Sequence, residues 1–273
     1  MLLAQQDNQV EQESTQSTFV RVEQKHLLPK NLWPALERLL TLHSKPSYLD
    51  DVTSFNLIES IYYDSASLKI YNDHFSNRVS RVKVRTRKYA PNGEWKHKAI
   101  YLEVKKKADG ICTKERARLP FEQATALALG EALEVNERML KKNKRDEPSV
   151  VAERIQFING LVQDFELRPQ ARVVYHRQAF EADGFRVTVD NHLKFELLRD
   201  ISGEVASQIR SSEFWNRALF MRSLFDDGGV MVLELKHSGM IPDWMNDFLV
   251  QNSVNKSQFS KYCFAITSSI VEG

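Results

Sequence analysis

Charged side chains at every second position, in segment after segment, constrain this chain more than any other feature. Successive residues of a strand point to opposite faces. In RVKVRTRKY, Arg81, Lys83, Arg85 and Arg87 therefore share one face, and Val82, Val84 and Thr86 share the other. YLEVKKK sets Glu103, Lys105 and Lys107 against Leu102, Val104 and Lys106. FRVTVD sets Arg186, Thr188 and Asp190 against Phe185, Val187 and Val189. VMVLELK opposes Glu234 and Lys236 to Leu233 and Leu235, and FVRVEQK opposes Arg21, Glu23 and Lys25 to Val20 and Val22. One such strand is ordinary for a sheet with a wet face. Five together predict a mostly antiparallel α+β fold, with amphipathic helices covering the apolar faces. If that sheet curls on itself, its charged faces converge into a tunnel rather than a core.

The charge is concentrated. Residues 78–118 hold fourteen Lys and Arg against four acids, a local +10 in a chain whose total is +2. Such a block suits a polyanion. Four like charges on one strand face repel each other unless a multivalent anion sits among them. Arg grips phosphate oxygens bidentately, and Lys supplies a point charge. Glu23, Glu103 and Glu234, interleaved with these cations, would repel a nucleic-acid backbone. Beside a triphosphate they suit Mg²⁺ or Mn²⁺, which take oxygen donors and bridge to phosphate. The plainer alternatives stay open: Glu234 as a buried acid paired with Lys or Arg, and Glu103 as a local salt-bridge partner.

Periodicity predicts strands near 18–27, 56–64, 79–89, 98–107, 111–119, 171–180, 184–192 and 229–237. It predicts helices over 31–42 with Asn31 as N-cap, 121–146, 149–163, a short one after Pro242 and a last one from Ser257. The stretch 196–226 reads as mixed, helical toward its end. Residues 1–17, rich in Gln, Ser and Glu, are expected to be a disordered tail before one domain over 18–273.

Several motifs then occur in a telling order: RVEQK with Lys25, SIYYDS, KVRTRKY, YLEVKKK, KERARL, ARVVYHRQAFE, FRVTVD, VLELK and SKY. The series resembles the VTC domain of polyphosphate polymerases, within the triphosphate tunnel metalloenzymes, over about 19–265. The resemblance implies an antiparallel barrel of about eight strands. It implies transfer of the γ-phosphate of ATP to a growing inorganic polyphosphate chain, with Mn²⁺ or Mg²⁺. It places Lys25, Arg85, Arg87, Lys105, Arg172 and Arg186 in the catalytic cradle. By the resemblance, Lys114, Ser260 and Lys261 would bind substrate and Glu234 the metal; the charged strand faces themselves add Lys83, Lys107, Arg116 and Lys236 as substrate-binding cations and Glu103 as a second metal ligand. Two departures stand out. His26 follows Lys25 where Tyr is usual. Arg21 replaces the first acid of the ExExK frame that opens the related thiamine triphosphatase branch. Hydrolysis of tripolyphosphate or a nucleoside triphosphate in the same tunnel, or polyanion binding without catalysis, remain alternatives.

No Walker A or dinucleotide Gly motif, nucleophile elbow or His/Cys zinc spacing is present. Two cysteines, the lack of a bilayer-length apolar run and the lack of a basic signal n-region lead us to expect a cytoplasmic domain without its own membrane segment. ATP and polyphosphate are the expected partners, nucleic acid is not, and a membrane partner is compatible with the sequence.

Overall fold

The computed structural model describes residues 22–47, 55–76, 80–91, 93–94, 99–108, 111–182 and 184–270. The expected tail at 1–17, the expected strand start near residue 18 and Arg21 lie outside the described residues. The elements run β1 (Val22–Pro29), α1 (Trp33–His43), β2 (Lys45–Pro46), β3 (Asn56–Asp64), α2 (Lys69–Phe75), β4 (Ser80–Pro91), β5 (Ile100–Ala108) and β6 (Ile111–Leu119). They continue α3 (Phe121–Leu129), α4 (Glu137–Lys142), α5 (Pro148–Asp164), β7 (Arg168–Ala182), β8 (Phe185–Leu197), α6 (Gly203–Arg210), α7 (Glu213–Asp226), β9 (Val230–His237), α8 (Asp243–Gln251) and α9 (Lys261–Ser269).

The strands form one antiparallel sheet in the order β1-β9-β8-β7-β3-β4-β5-β6, with β2 added alongside β7. The period-2 pattern decides which way the sheet faces. Val84, Leu102, Val104 and Ala117 turn outward and pack with Val151, Ile155, Ile158 and Val162, the apolar stripe of α5. Val187, Val189, Leu233 and Leu235 turn outward on the other half, against Leu36 and Leu40 of α1 and Met245 and Phe248 of α8. Each of these buried Val, Leu, Ile, Met and Phe side chains contributes about 1.5–3 kcal/mol. With both outer faces covered, the charged residues are left on the concave side. The curl brings the sheet's ends together: Lys105 Nζ on β5 lies 3.2 Å from Glu23 on β1. The architecture is thus the expected α+β curled barrel, with eight strands on its path.

The concave side is charged over only part of its length. Helix α9 enters it, with Lys261 to Ser268 all buried. Phe264 packs on Phe195, Phe225 and Phe259, so this part is core rather than channel. The α9 helix is tied down by Tyr262, whose hydroxyl donates to Asp64, and by Tyr71 and Thr267, whose hydroxyls lie 2.8 Å apart.

Some local expectations fail for identifiable reasons. The predicted helix 121–146 breaks after Leu129. Gly130 takes the left-handed conformation (φ 73°), and the Gly130 and Glu131 amides close on Leu127 and Ala126. A Cβ at Gly130 would come within 1.6 Å of Arg168 Nη1. Asn136, whose side chain accepts from the Met139 amide at 3.0 Å, starts α4 afresh. Asn31 is not the cap of α1. It lies in a 3-10 turn, and Leu32 precedes the helix, which carries Pro in its first turn. The last helix starts at Lys261, capped by Ser260, rather than at Ser257.

Candidate active site

Three strands build a cationic wall. The β4–β5 register sets Lys83 opposite Lys105 and Arg85 opposite Glu103, while β5–β6 sets Glu103 opposite Arg116 and Lys105 opposite Lys114. Glu103, 2 % exposed, sits at the centre. Arg85 donates to its Oε2 from Nε (3.0 Å) and Nη2 (2.7 Å). Lys114 lies 2.8 Å and Arg116 3.5 Å from Oε1, and Arg87 Nη1 3.8 Å from Oε2. Burial alone would raise the Glu103 carboxyl, yet Arg85, Arg87 and Lys114 hold it far below the usual carboxylate range. Glu103 is therefore the salt-bridge partner that the plainer reading allowed. Its Oε2 takes the Arg85 fork, while Oε1 lies within ion-pair reach of Lys114 and Arg116 without a hydrogen bond of its own.

Arg85 also donates to Tyr62 from Nη1 at 3.1 Å. Arg87, 5 % exposed, donates to Ser60 Oγ at 3.2 Å and to the Tyr175 hydroxyl at 3.0 Å. These acceptors fix both guanidiniums before any ligand arrives. Lys83 donates to Ser260 Oγ at 2.9 Å, linking the wall to the cap of α9. Beside it, His74 is pushed down to about 3 by burial and by Lys83, Arg81 and Lys25, so it is neutral. At one edge Arg116 stacks over the Tyr101 ring at 3.9 Å. Lys107 is exposed on β5, opposite Arg81.

The facing wall carries the acids. Across β1–β9, Lys25 pairs with Glu234 and Glu23 with Lys236, which makes Glu23 and Glu234 diagonal neighbours. Lys236 Nζ is 2.7 Å from Glu234 and 3.9 Å from Glu23, and Lys25 Nζ is 3.5 Å from Glu23. Burial would raise Glu234, but Lys236, Arg177, Lys25 and Lys261 keep it well below the ordinary value. Burial lowers Lys25 despite Glu234 and Glu23. Deeper in, Asp190 is fully buried between Arg177 (2.5 and 2.7 Å) and Lys261 (2.6 Å).

The structure thus brings Lys25, Lys83, Arg85, Arg87, Glu103, Lys105, Lys114, Arg116, Glu234, Lys236, Ser260 and Lys261 to the concave side. Arg186 lies toward the β7–β8 turn, half-exposed and 3.1 Å from Glu181. Arg172 is elsewhere. It pairs in register with Ile61, on the face opposite Tyr62 and Ser60, and bonds Glu59 (2.5 Å) and Glu196 (3.0 Å) on the outside. The inward arginine of β7 is Arg177. Residues 172 and 177 differ by an odd number, so a regular strand cannot turn both inward. That parity is present in ARVVYHRQ, where Arg177 goes with Tyr175. Arg172→Ala should leave any turnover within about twofold, since exposed ion pairs contribute little. A steady-state comparison with wild type checks this.

Carboxylate oxygens of the kind hard divalent ions take come together on β1 and β9. Glu234 and Glu23 are ionised neighbours, and Glu234's charge pushes on Glu23. Mg²⁺ commonly binds through one or two carboxylates, its waters and substrate phosphates, which suits such a pair. No cluster of three or more His, Cys, Asp or Glu suited to a metal occurs among the described residues.

A curled antiparallel sheet with a cationic wall facing an acidic one defines the class of site. The chain belongs to the VTC domain family, whose model matches residues 20–270. Among solved structures, a candidate adenylate cyclase of Bacillus halodurans is similar at 10% identity and a TM-score of 0.44, covering 88% of this chain and 93% of that one. A second candidate adenylate cyclase, from Vibrio parahaemolyticus, is similar at 9% identity and a TM-score of 0.40, covering 93% and 98%. No curated protein matches the sequence. No helix among the described residues is long and apolar enough to cross a membrane.

Proposed function

We propose that the chain is a polyphosphate polymerase that transfers the γ-phosphoryl group of ATP to the end of an inorganic polyphosphate chain. The observation that carries this reading, beside family membership, is the convergence of Arg85, Arg87, Lys114 and Arg116 on one wall with Lys25, Lys105 and Lys236 on or facing it. Such a cradle suits several linked phosphates rather than one. A terminal polyphosphate oxygen attacks Pγ. The bond from Pγ to the β–γ bridging oxygen breaks, and ADP leaves with that electron pair. No protein nucleophile takes part. Arg85 and Arg87, already oriented by Glu103, Tyr62, Ser60 and Tyr175, spread the charge on the transferring group. Lys25, with its lowered pKa, binds an oxygen near Glu234. Lys83, Lys105, Lys107, Lys114, Arg116 and Lys236 bind neighbouring phosphates, with Ser260 and Lys261 fixed at the α9 end and Arg177 behind them. Arg186 meets the chain near the β7–β8 turn. A divalent ion, Mn²⁺ or Mg²⁺, held by Glu234 and Glu23 would neutralise charge on the β- and γ-oxygens.

The test is incubation of purified protein with ATP and Mn²⁺, read by a polyphosphate-stained gel and a free-phosphate assay on one sample. A ladder lengthening with time supports polymerisation. Free phosphate without a ladder means water is the acceptor and the protein a tripolyphosphatase or nucleoside triphosphatase. Neither product leaves a polyanion-binding module. Glu234→Gln should lower turnover by about 10²–10³-fold and move the Mn²⁺ requirement to higher concentration. An unchanged Mn²⁺ titration would remove Glu234 from the metal site.

A further inference from the structure

Among the described residues on the concave side of β4, β5 and β6, Glu103 is the sole acid. Its surroundings are those a phosphate oxygen would choose: the Arg85 fork on Oε2, Lys114 at 2.8 Å and Arg116 at 3.5 Å on Oε1. We propose that Glu103 is a resident counter-ion that occupies a phosphate's place among these cations and limits how tightly the wall grips a polyanion. The proposal rests on the phosphoryl-transfer reading of the site and makes Glu103 a positioning residue for it.

Two requirements lead there. Arg85, Arg87, Lys114 and Arg116 come from adjacent strands and repel one another, so an anion fixed among them is needed to hold their geometry without substrate. A mobile ion would serve, but it would have to leave before each binding event. Glu103 stays: it is 2 % exposed, and its cations keep it ionised. The second requirement is release. A polymerase must shift or free a polyanion after each transfer, and a wall of four unopposed cations would hold it. The fixed carboxylate repels the phosphate nearest Arg85 and leaves the guanidinium's Nη1 edge, which bonds Tyr62, and the outward sides of Lys114 and Arg116 for substrate. Arg85 remains 25% exposed, while the side chains of Lys114 and Arg116 are 51% and 41% exposed, so each presents an open side.

The experiment measures tripolyphosphate binding calorimetrically, without nucleotide, on the full chain as wild type, Glu103→Gln and Glu103→Asp. The Gln variant should bind about tenfold more tightly. Its KM for ATP and its kcat should fall together as product lingers, and long polyphosphate should inhibit it at lower concentration. The Asp variant, which keeps the charge, should stay near wild type. Gln leaves the cations unopposed and lowers stability, so tripolyphosphate should raise its melting temperature more than that of wild type. Equal or weaker tripolyphosphate binding by the Gln variant, with no larger thermal shift, overturns the counter-ion role. If wild type itself does not bind tripolyphosphate, the phosphoryl-transfer reading fails first, and the role of Glu103 falls with it.

Discussion

Arg85→Ala is expected to cut turnover by about 10³-fold, roughly 4 kcal/mol of transition-state stabilisation, while leaving the fold intact. The size follows from how much is arranged around this one guanidinium. Glu103 takes Nε and Nη2, and Tyr62 takes Nη1, so the plane of the fork is set before substrate arrives. Burial would lower the Arg85 pKa, but Tyr62 and Glu103 raise it well above the ordinary arginine value, so the charge is permanent. A preoriented charge spends nothing on reorganisation as negative charge shifts onto the bridging oxygen. That is why its loss should fall on kcat more than on ATP binding, which the other cations share. The fold should survive because Glu103 keeps Lys114, Arg116 and Arg87. Steady-state kinetics with a circular dichroism spectrum make the test. A variant within tenfold of wild type would show that Arg85 serves only to hold Glu103.

Arg85, Arg87 and Lys105 were legible from sequence because period-2 alternation is a local property and β4 and β5 are regular. The covered outer faces follow from the same pattern, as Val84, Leu102, Leu233 and Leu235 show. What lies beyond it depends on partners far apart in the chain. Lys83 meets Ser260 across 177 residues, and nothing near either residue announces the contact. Helix α2 is missing from the sequence reading because its start is held by Asp64. That carboxylate lies six and seven residues before the Ile70 and Tyr71 amides it accepts from, at 2.8 and 2.9 Å, while Leu68 at the N-cap has φ 54°. No capping pattern has that spacing. Arg172 is a different kind of error. Motif order placed it in the cradle, but strand parity turns it outward, and a local physical rule outranks a motif when the two disagree. Glu103 shows the limit of reading acids among bases: a metal ligand and a salt-bridge partner look alike in sequence, and the cations around Glu103 come from three different strands.

The largest loss of stability is expected from Asp190→Asn, about 3–5 kcal/mol. Asp190 is fully buried and joins Arg177 on β7 to Lys261 at the start of α9. With the carboxylate gone, two buried cations face each other, and Glu234 is the nearby acid left to offset them. Such a pair is costly to break because the survivors stay desolvated. Since Lys261 opens α9, the concave core around Phe264 should loosen with it. The pH dependence distinguishes this from simple cavity effects. Burial would raise Asp190, but Arg177 and Lys261 bring it below its ordinary value of 3.8. A depressed carboxyl contributes stability that is present above its unfolded pKa and lost as pH falls through its folded one. Wild type should therefore lose this contribution below about pH 4, and the Asn variant, which has none to lose, should show a flatter acid limb. Urea melts at neutral and acid pH read both effects. Lys261→Met added to Asp190→Asn should restore part of the loss by removing one stranded charge. If the single variant loses less than about 1 kcal/mol, the surface-like range for ion pairs, the triad is solvated and does not anchor α9.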